Sequence, residues 1–438
     1  MSATKRAIPL RHVIAVFAGN GLEFYDFLTF SYFSDYIGRV FFPSDDRMIS
    51  WLAALATFGV GFLMRPVGAF VIGRMGDRIG RKPAMLLSFS LMGVGIIGMC
   101  LTPSYARIGF SAPVLVVLFR LLQGFALGGE VGPTTAYMAE AAPPERRGFY
   151  ISMQYATQDC STLVAGLIGL ALSQTLSEIQ LQDWGWRAAM LVGAAIVPFG
   201  LWLRSSLPET LHAAGEAQAV PLEIANGPRG RTRPYLLIAM LGILMLTAGT
   251  IGNYTISYMT TYSRMVLHMS TAVSFGITII NGAFSILSEV ASGFWSDRFG
   301  RKPVMIIPGV LLLLSIFPGF WLIEHFRSTA VLYGAETVMV LFAGVSSVPV
   351  IVGITESLPP SIRSGSVAMI YALAISIFGG STQFVITALI RWTGNPLAPA
   401  WYWSGSLVIA LIAMALFKES APVRANSTLS PFEGERAG

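Results

Sequence analysis

The residues best placed to do chemistry are charged groups set in otherwise apolar sequence. In Gly19-Asn20-Gly21-Leu22-Glu23-Phe24-Tyr25-Asp26-Phe27, Glu23 and Asp26 are three apart, so a helix sets both on one side. At 1.5 Å per residue they lie about 20 Å along it from His12. Two carboxyl groups that deep in an apolar medium cannot both ionise cheaply, which is the requirement for a group that carries a proton. Arg120, in Phe119-Arg120-Leu121-Leu122-Gln123-Gly124, is a cation in another apolar run, and an Arg120–Asp26 pair is expected. A proton on the carboxyl would free the guanidinium for an anion, linking the two occupancies. The plainer alternative is that one acid only ties its helix to the arginine. Gln123 and Glu130, seven apart, nearly share a helix face and extend this polar path. Glu289 has no basic residue expected at its depth and is a further proton-site candidate.

Uncharged polar residues form stripes on the same apolar segments. Gln154, Gln158 and Thr162 recur every four residues; Asn253, Tyr254, Ser257, Tyr258 and Thr261 make a second stripe, and Asn281, Ser285, Ser288 and Glu289 a third. In hydrocarbon such a stripe must face protein or a water-filled cavity. Amides and hydroxyls can hydrogen-bond a polar ligand without adding fixed charge, so Asn20, Tyr25, Arg120, Gln123, Gln154, Gln158, Asn253, Tyr254, Tyr258 and Asn281 are the expected substrate-binding set. Any one of them is equally an interhelical hydrogen bond. Asp159, about 100° around the helix from Gln158, is expected to point elsewhere. The interior offers only Arg120 and Arg65 as cations, so a ligand with several negative charges would have to bring protons with it or carry fewer charges.

The elements that hold these residues are read from composition. The 438-residue chain is 54% hydrophobic and 12% charged, against about 25% charged in a soluble domain, so its solvent is lipid. Apolar runs near the roughly 20 residues that cross a bilayer fall at 12–40, 51–73, 84–102, 113–139, 150–174, 187–207, 234–261, 271–294, 304–324, 331–355, 366–391 and 399–417. The expected fold is all-α and integral to the membrane: twelve helices in two halves, 1–207 and 234–418, with a polar linker at 208–233 and a tail at 419–438. The stretch after Met1 to Arg11 has no small-residue cleavage site, so nothing is expected to be removed. Most of the 29 Lys and Arg fall on one side if both termini are cytoplasmic, and the positive-inside rule then fixes that topology. The net charge of +6 thus reports orientation in an inner, or plasma, membrane and not a nucleic-acid partner. Cys100 and Cys160 both lie in apolar runs, and no disulfide is expected.

Internal duplication supports the two halves. Gly73-Arg74-Met75-Gly76-Asp77-Arg78-Ile79-Gly80-Arg81-Lys82-Pro83 returns as Gly293-Phe294-Trp295-Ser296-Asp297-Arg298-Phe299-Gly300-Arg301-Lys302-Pro303, and Glu140-Ala141-Ala142-Pro143-Pro144 as Glu356-Ser357-Leu358-Pro359-Pro360. Twelve helices in two sets of six, with this glycine-punctuated basic turn repeated and Pro208-Glu209-Thr210 closing the sixth, resemble the major facilitator superfamily. The resemblance implies a cytoplasmic latch built from Gly73, Asp77, Arg78, Arg81 and Glu140 and their echo Asp297, Arg298, Arg301 and Glu356. It also implies alternating access by rocking of the two halves.

Further motifs narrow the likeness. They are Gly19-Asn20-x-x-Glu23-x-x-Asp26-Phe27, Phe62-Leu63-Met64-Arg65-Pro66-Val67-Gly68, Arg120-Leu121-Leu122-Gln123-Gly124 and Trp184-Gly185-Trp186-Arg187. Together they look like the metabolite:proton symporters. Gly148-Phe149-Tyr150-x-Ser152-x-Gln154-x-Ala156-x-Gln158 and Phe378-Gly379-Gly380-x-Thr382 make the chain most similar to the citrate and tricarballylate carriers. What this implies is proton-coupled uptake of a small organic acid by a monomer, without a cofactor other than the proton gradient. The alternatives are another metabolite, such as 2-oxoglutarate, shikimate or a betaine-like osmolyte, or proton-driven export of drug-like compounds. An enzyme is not expected: His12, His212, His268 and His325 are scattered, with no His-Glu-x-x-His and no paired cysteines.

Overall fold

The computed structural model of the protein describes residues 24–25, 28–78, 81–128, 142–205, 232–358 and 360–421, and among these it is helical with no strand. Residues 28–32 are helical and pass through a turn into α1 (Ser34–Phe41). The first half continues with α2 (Arg47–Leu63, then Arg65–Arg78), α3 (Arg81–Leu101), α4 (Ser111–Leu127), α5 (Arg147–Thr175) and α6 (Trp186–Ser205). The second half holds α7 (Thr232–Met265), α8 (Thr271–Phe299), α9 (Arg301–Phe326), α10 (Thr329–Glu356), α11 (Pro360–Ala374, a π-helical turn Ile375–Gly379, then Gly380–Thr393) and α12 (Ala398–Leu416). Each expected apolar run is helical over most of its described residues. Among the described residues seven helices are long and apolar enough to cross a membrane, and Leu86–Leu101 and Ser111–Leu127 are shorter apolar helices.

Local chemistry sets the boundaries. Asp46, Ser270 and Ser328 cap α2, α8 and α10 by accepting the backbone N–H of Met48, Val273 and Val331, each satisfying a donor the helix start leaves open. Pro66, which has no N–H to give, follows the break in α2 at Met64. The second basic turn pivots on Gly300, whose φ of 98° suits a residue without Cβ; it joins α8 to α9.

The halves meet along two seams. α5 and α8 pack side by side, with Gly166 against Thr278 and Gly282 against Leu163. α2 crosses α11 where Gly59 and Gly380 place backbone against backbone, so that a Cβ on either would overlap the other's carbonyl group. Buried side chains gather in one cluster in the first half, around Phe30, Phe58 and Trp186, and two in the second, around Phe320 and Trp403 and around Met305 and Phe417. The outside remains apolar: Leu63, Phe70, Leu101, Leu314, Trp392 and Leu416 are exposed, as expected of a surface that lipid covers.

Candidate functional site: a cavity between the halves

A cavity of about 130 Å³ lies where α2, α5, α7, α8, α10, α11 and α12 converge. The stripes supply part of its wall: Gln158 from α5, Asn253 and Tyr254 from α7, and Ser285 and Glu289 from α8. Arg65 is its cation. The Arg65 guanidinium stacks 4.1 Å above the Phe62 ring, and the residue is 7% exposed. Tyr155, Tyr371 and Trp403 add aromatic surface.

Arg120 stands one aromatic layer away. It is buried, its Nη1 donates to Gln123 Oε1 at 2.8 Å, and its guanidinium lies over the Phe30 and Phe58 rings at 4.2 and 5.3 Å. Phe58 and Phe62 in turn meet Tyr254 edge-on at 6.0 and 5.6 Å, and Tyr254 faces the cavity. Gln123, expected to extend the polar path from Arg120, is hydrogen-bonded to it. Asn20, Glu23, Asp26, Glu130 and Glu140 lie outside the described residues.

The acidic chemistry of the cavity differs from expectation. Asp159 does not point away; it lines the cavity with Gln158. Glu289 is not solitary: its carboxyl is within hydrogen-bonding reach of the Asp159 carboxyl. Thr162 also donates to Asp159 Oδ1, at 3.4 Å. A cavity wide enough to meet two adjacent positions of α5 explains the first correction. The second arises because α8, from the other half, faces α5 at this level.

Other members of the expected set are placed elsewhere. The Tyr25 hydroxyl donates to the Ala189 carbonyl of α6 at 2.8 Å. Gln154 is buried on α5 outside the cavity wall. Asn281 donates from Nδ2 to the Ile256 carbonyl at 3.1 Å. Tyr258 stacks on Trp51, with centroids 5.4 Å apart and planes 8° from parallel, and its hydroxyl accepts from Thr387 at 3.1 Å.

That Trp51–Tyr258 stack belongs to a cross-half clasp at the end of the molecule where α1 ends and α8 begins. Asp35, fully buried, accepts from Arg39 at 2.9 Å, Arg47 at 2.8 Å and Arg264 of the other half at 3.2 Å. Glu178 accepts from Tyr36 at 2.9 Å and from Thr271, and lies 3.6 Å from Arg264. Burial by itself would push the Glu178 carboxyl up, but the Thr271 and Tyr36 hydroxyls and Arg264 hold it below the usual range. Ser31 donates to Gln383 at 2.7 Å, and Arg391 pairs with Asp46 at 2.8 Å. Sequence reasoning missed this cluster. Its signal was Asp35 inside the first apolar run. It also missed Glu336, wholly buried on α10 beside Asn281.

At the opposite end the second basic turn forms a network. Asp297 accepts the N–H groups of Gly148 and Phe149 at 2.9 Å each, at the start of α5 in the other half. Arg301 spans Asp297, at 2.7 Å, and Glu356, at 3.0 Å. The Glu419 carboxylate accepts the N–H groups of Arg301 and Lys302 at 2.8 and 3.0 Å. Burial alone would raise its pKa, but the backbone donors of Ala421, Arg301, Lys302 and Ser420 lower it. Arg298 stands apart from this network, its guanidinium 5.5 Å from the Phe299 ring centroid. Of the first copy, Gly73, Asp77, Arg78 and Arg81 lie in α2 and α3, and their side chains are outside what is described.

Comparison with known proteins agrees with this architecture. Residues 16–376 match the family model described as Major Facilitator Superfamily. A citrate-proton symporter of Klebsiella pneumoniae is 34% identical over 429 residues, covering 96% of this chain and 95% of the relative. An alpha-ketoglutarate permease of Escherichia coli K12 is 34% identical over 417 residues, covering 94% of each. The partially occluded, inward-open xylose transporter XylE of Escherichia coli shares the fold, with a TM-score of 0.77 at 18% identity over 94% of this chain and 98% of that one. With its paired six-helix halves, its repeated basic turn and a match across most of its length, the chain belongs to the major facilitator superfamily of membrane transporters.

Proposed function

We propose that the protein is a proton-coupled symporter of a small organic acid, of the di- or tricarboxylate class that includes citrate and 2-oxoglutarate. It would work by alternating access in a bacterial inner membrane. The observation that carries this reading is the cavity between the halves: a guanidinium, Arg65, shares its wall with the amides of Gln158 and Asn253. Such a site offers a carboxylate charge-assisted and neutral hydrogen bonds together, and Arg120 stands one ring behind. The curated relatives named for citrate-proton symport and alpha-ketoglutarate permeation support the same class.

In this reading residues 1–207 rock against 234–418 about the cavity, as transporters built from repeats do, with 208–233 as the connecting segment. Both termini and the tail 419–438 lie in the cytoplasm. The Asp35–Arg264 clasp then closes the outer end, and the Asp297 network belongs to the inner latch. Asp26 would pair with Arg120 as a tie between their two helices. A second reading, a zwitterionic osmolyte, is favoured by one observation: the cavity sets Arg65 in the same wall as two carboxyl groups and the Tyr155, Tyr254 and Trp403 rings, a wall that also suits a quaternary ammonium.

The test is uptake of radiolabelled citrate into proteoliposomes under an imposed inward proton gradient, with 2-oxoglutarate, succinate, shikimate and betaine as competitors. Gradient-driven uptake inhibited by the acids supports the proposal. Inhibition by betaine alone selects the zwitterion, and no gradient-dependent uptake of any of them overturns symport of these metabolites.

A further inference from the structure

We propose that Asp159 and Glu289 together form a proton-binding site, one carboxyl from each half, in which a single shared proton holds α5 and α8 together beside the cavity. The inference rests on the proton-coupled reading above and assigns the proton to a different place from the first helix.

The geometry leads there directly. An ionised carboxylate only accepts hydrogen bonds, so two carboxyl groups within hydrogen-bonding reach need a hydrogen between them. Among the described residues no ion pair joins either acid to an arginine. The surrounding groups are neutral donors or weak acids: Tyr155, Cys160 and Thr162 on α5, Tyr32 ahead of α1, and Ser285 on α8. Tyr254 on α7, Tyr371 on α11 and Ser346 and Ser347 on α10 share the cavity wall, and Arg65 on α2 is its cation. None of the neutral groups supplies the positive charge that would let both carboxyls stay ionised at contact.

The pair also spans the seam that motion must change. α5 and α8 touch on one side of it at Gly166 and Thr278 and on the other at Gly148 and Asp297. With the proton bound, one carboxyl donates to the other and the halves are tied at mid-seam. When the proton leaves to water, two adjacent carboxylates repel across the seam. The repulsion falls only if α5 and α8 separate or a proton returns from the other side. One proton enters the pair and one leaves it, so the site balances over a cycle.

The test uses spin labels at Glu145 and Lys418, both exposed and on opposite halves, in full-length protein with Cys100→Ser and Cys160→Ser, reconstituted in lipid. Distances are measured by double electron–electron resonance between pH 5 and pH 9 without substrate. We expect a pH-dependent distance distribution in the parent protein. In Asp159→Asn, Glu289→Gln and the double variant, where an amide stands in for the protonated acid, that dependence should be lost and the distribution held at its acid form. Gradient-driven uptake should fall more than tenfold in these variants, with counterflow exchange retained. A parent-like pH response in the double variant overturns the proposal, as does a response abolished by Asp26→Asn but untouched by Asp159→Asn and Glu289→Gln. Because the distance measurement needs no substrate, loss of the pH response in a protein that moves no organic acid would refute the substrate class and leave the proton site standing.

Discussion

Replacing Asp35 by Asn removes the shared anion of the clasp that joins the halves at the α1–α8 end. Arg39 and Arg47 have side chains 28% and 50% exposed, so their pairs with Asp35 contribute at most about 1 kcal/mol each, within rather than between halves. Arg264 is different: its side chain is 6% exposed and that of Asp35 is 0% exposed. Stranding one partner of a buried pair costs about 3–5 kcal/mol. Glu178, 3.6 Å from Arg264 but 61% exposed, returns about 1 kcal/mol of that. The net penalty on the closed arrangement is about 2–4 kcal/mol, a shift of roughly thirty-fold to several hundred-fold in the equilibrium between ends. Spin labels at Asp45 and Ala330, exposed on opposite halves at this end, would report it as a new long-distance population in Asp35→Asn. Unchanged distances in a folded variant would show that the Asp35–Arg264 pair does not hold the halves together, and the reasoning from burial would be wrong.

Four more outcomes are expected. Asp297→Asn removes the acceptor of two α5 N–H groups and a partner of Arg301; it should open the other end by about 1–3 kcal/mol, the worth of hydrogen bonds to a charged group, read with labels at Glu145 and Lys418. Gly380→Ala drives a methyl into Gly59 and should lower thermal stability by about 1–3 kcal/mol, whereas Gly249→Ala, with open space around it, should be near neutral in the same melt. Glu336→Gln keeps the shape of a wholly buried acid and removes only the option of a costly buried charge, so its melting temperature should match or exceed the parent's, and a fall of several degrees would show that the carboxyl itself is used. Because the Glu419 pKa is lowered below 4.5, its contribution is present above that value and lost as pH falls through its folded pKa. The difference in melting temperature between the parent and Glu419→Gln should therefore be constant from pH 8 to 5 and shrink on further acidification.

Much of the architecture was legible because hydrocarbon imposes it: apolar length gave the helices, and the repeated basic turn gave their grouping. The glycine of that turn needed its left-handed backbone at Gly300. The cavity was legible in part. A stripe runs the whole length of a spanning helix while the cavity touches only a few turns, so Gln158, Asn253 and Tyr254 reach it, whereas Tyr258 and Asn281, on the same stripes, serve the clasp and a backbone carbonyl. Asp159 was misjudged because a 100° step suggested another face, when the partner that defines its role comes from α8, far away in sequence. Asp35 and Arg264 escaped for the same reason: each reads as an end-of-helix charge until tertiary packing buries them together.

The π-helical turn at Ile375–Gly379 sets the rotational phase of α11. In an unbroken α-helix Tyr371 and Gln383, twelve residues apart, would point about 120° from one another. A π-turn takes up one extra residue, so the effective step is eleven and the offset shrinks to about 20°. That alignment lets one helix place Tyr371 on the cavity and Gln383 against Ser31 of the opposite half. Deleting a single residue within 375–379 would leave helix, hydropathy and length nearly intact yet twist the two ends out of phase, uncoupling the cavity from the clasp. The surplus residue works as a rotary offset, and any change that relaxed the turn to regular α-helix would switch which faces of α11 its neighbours see.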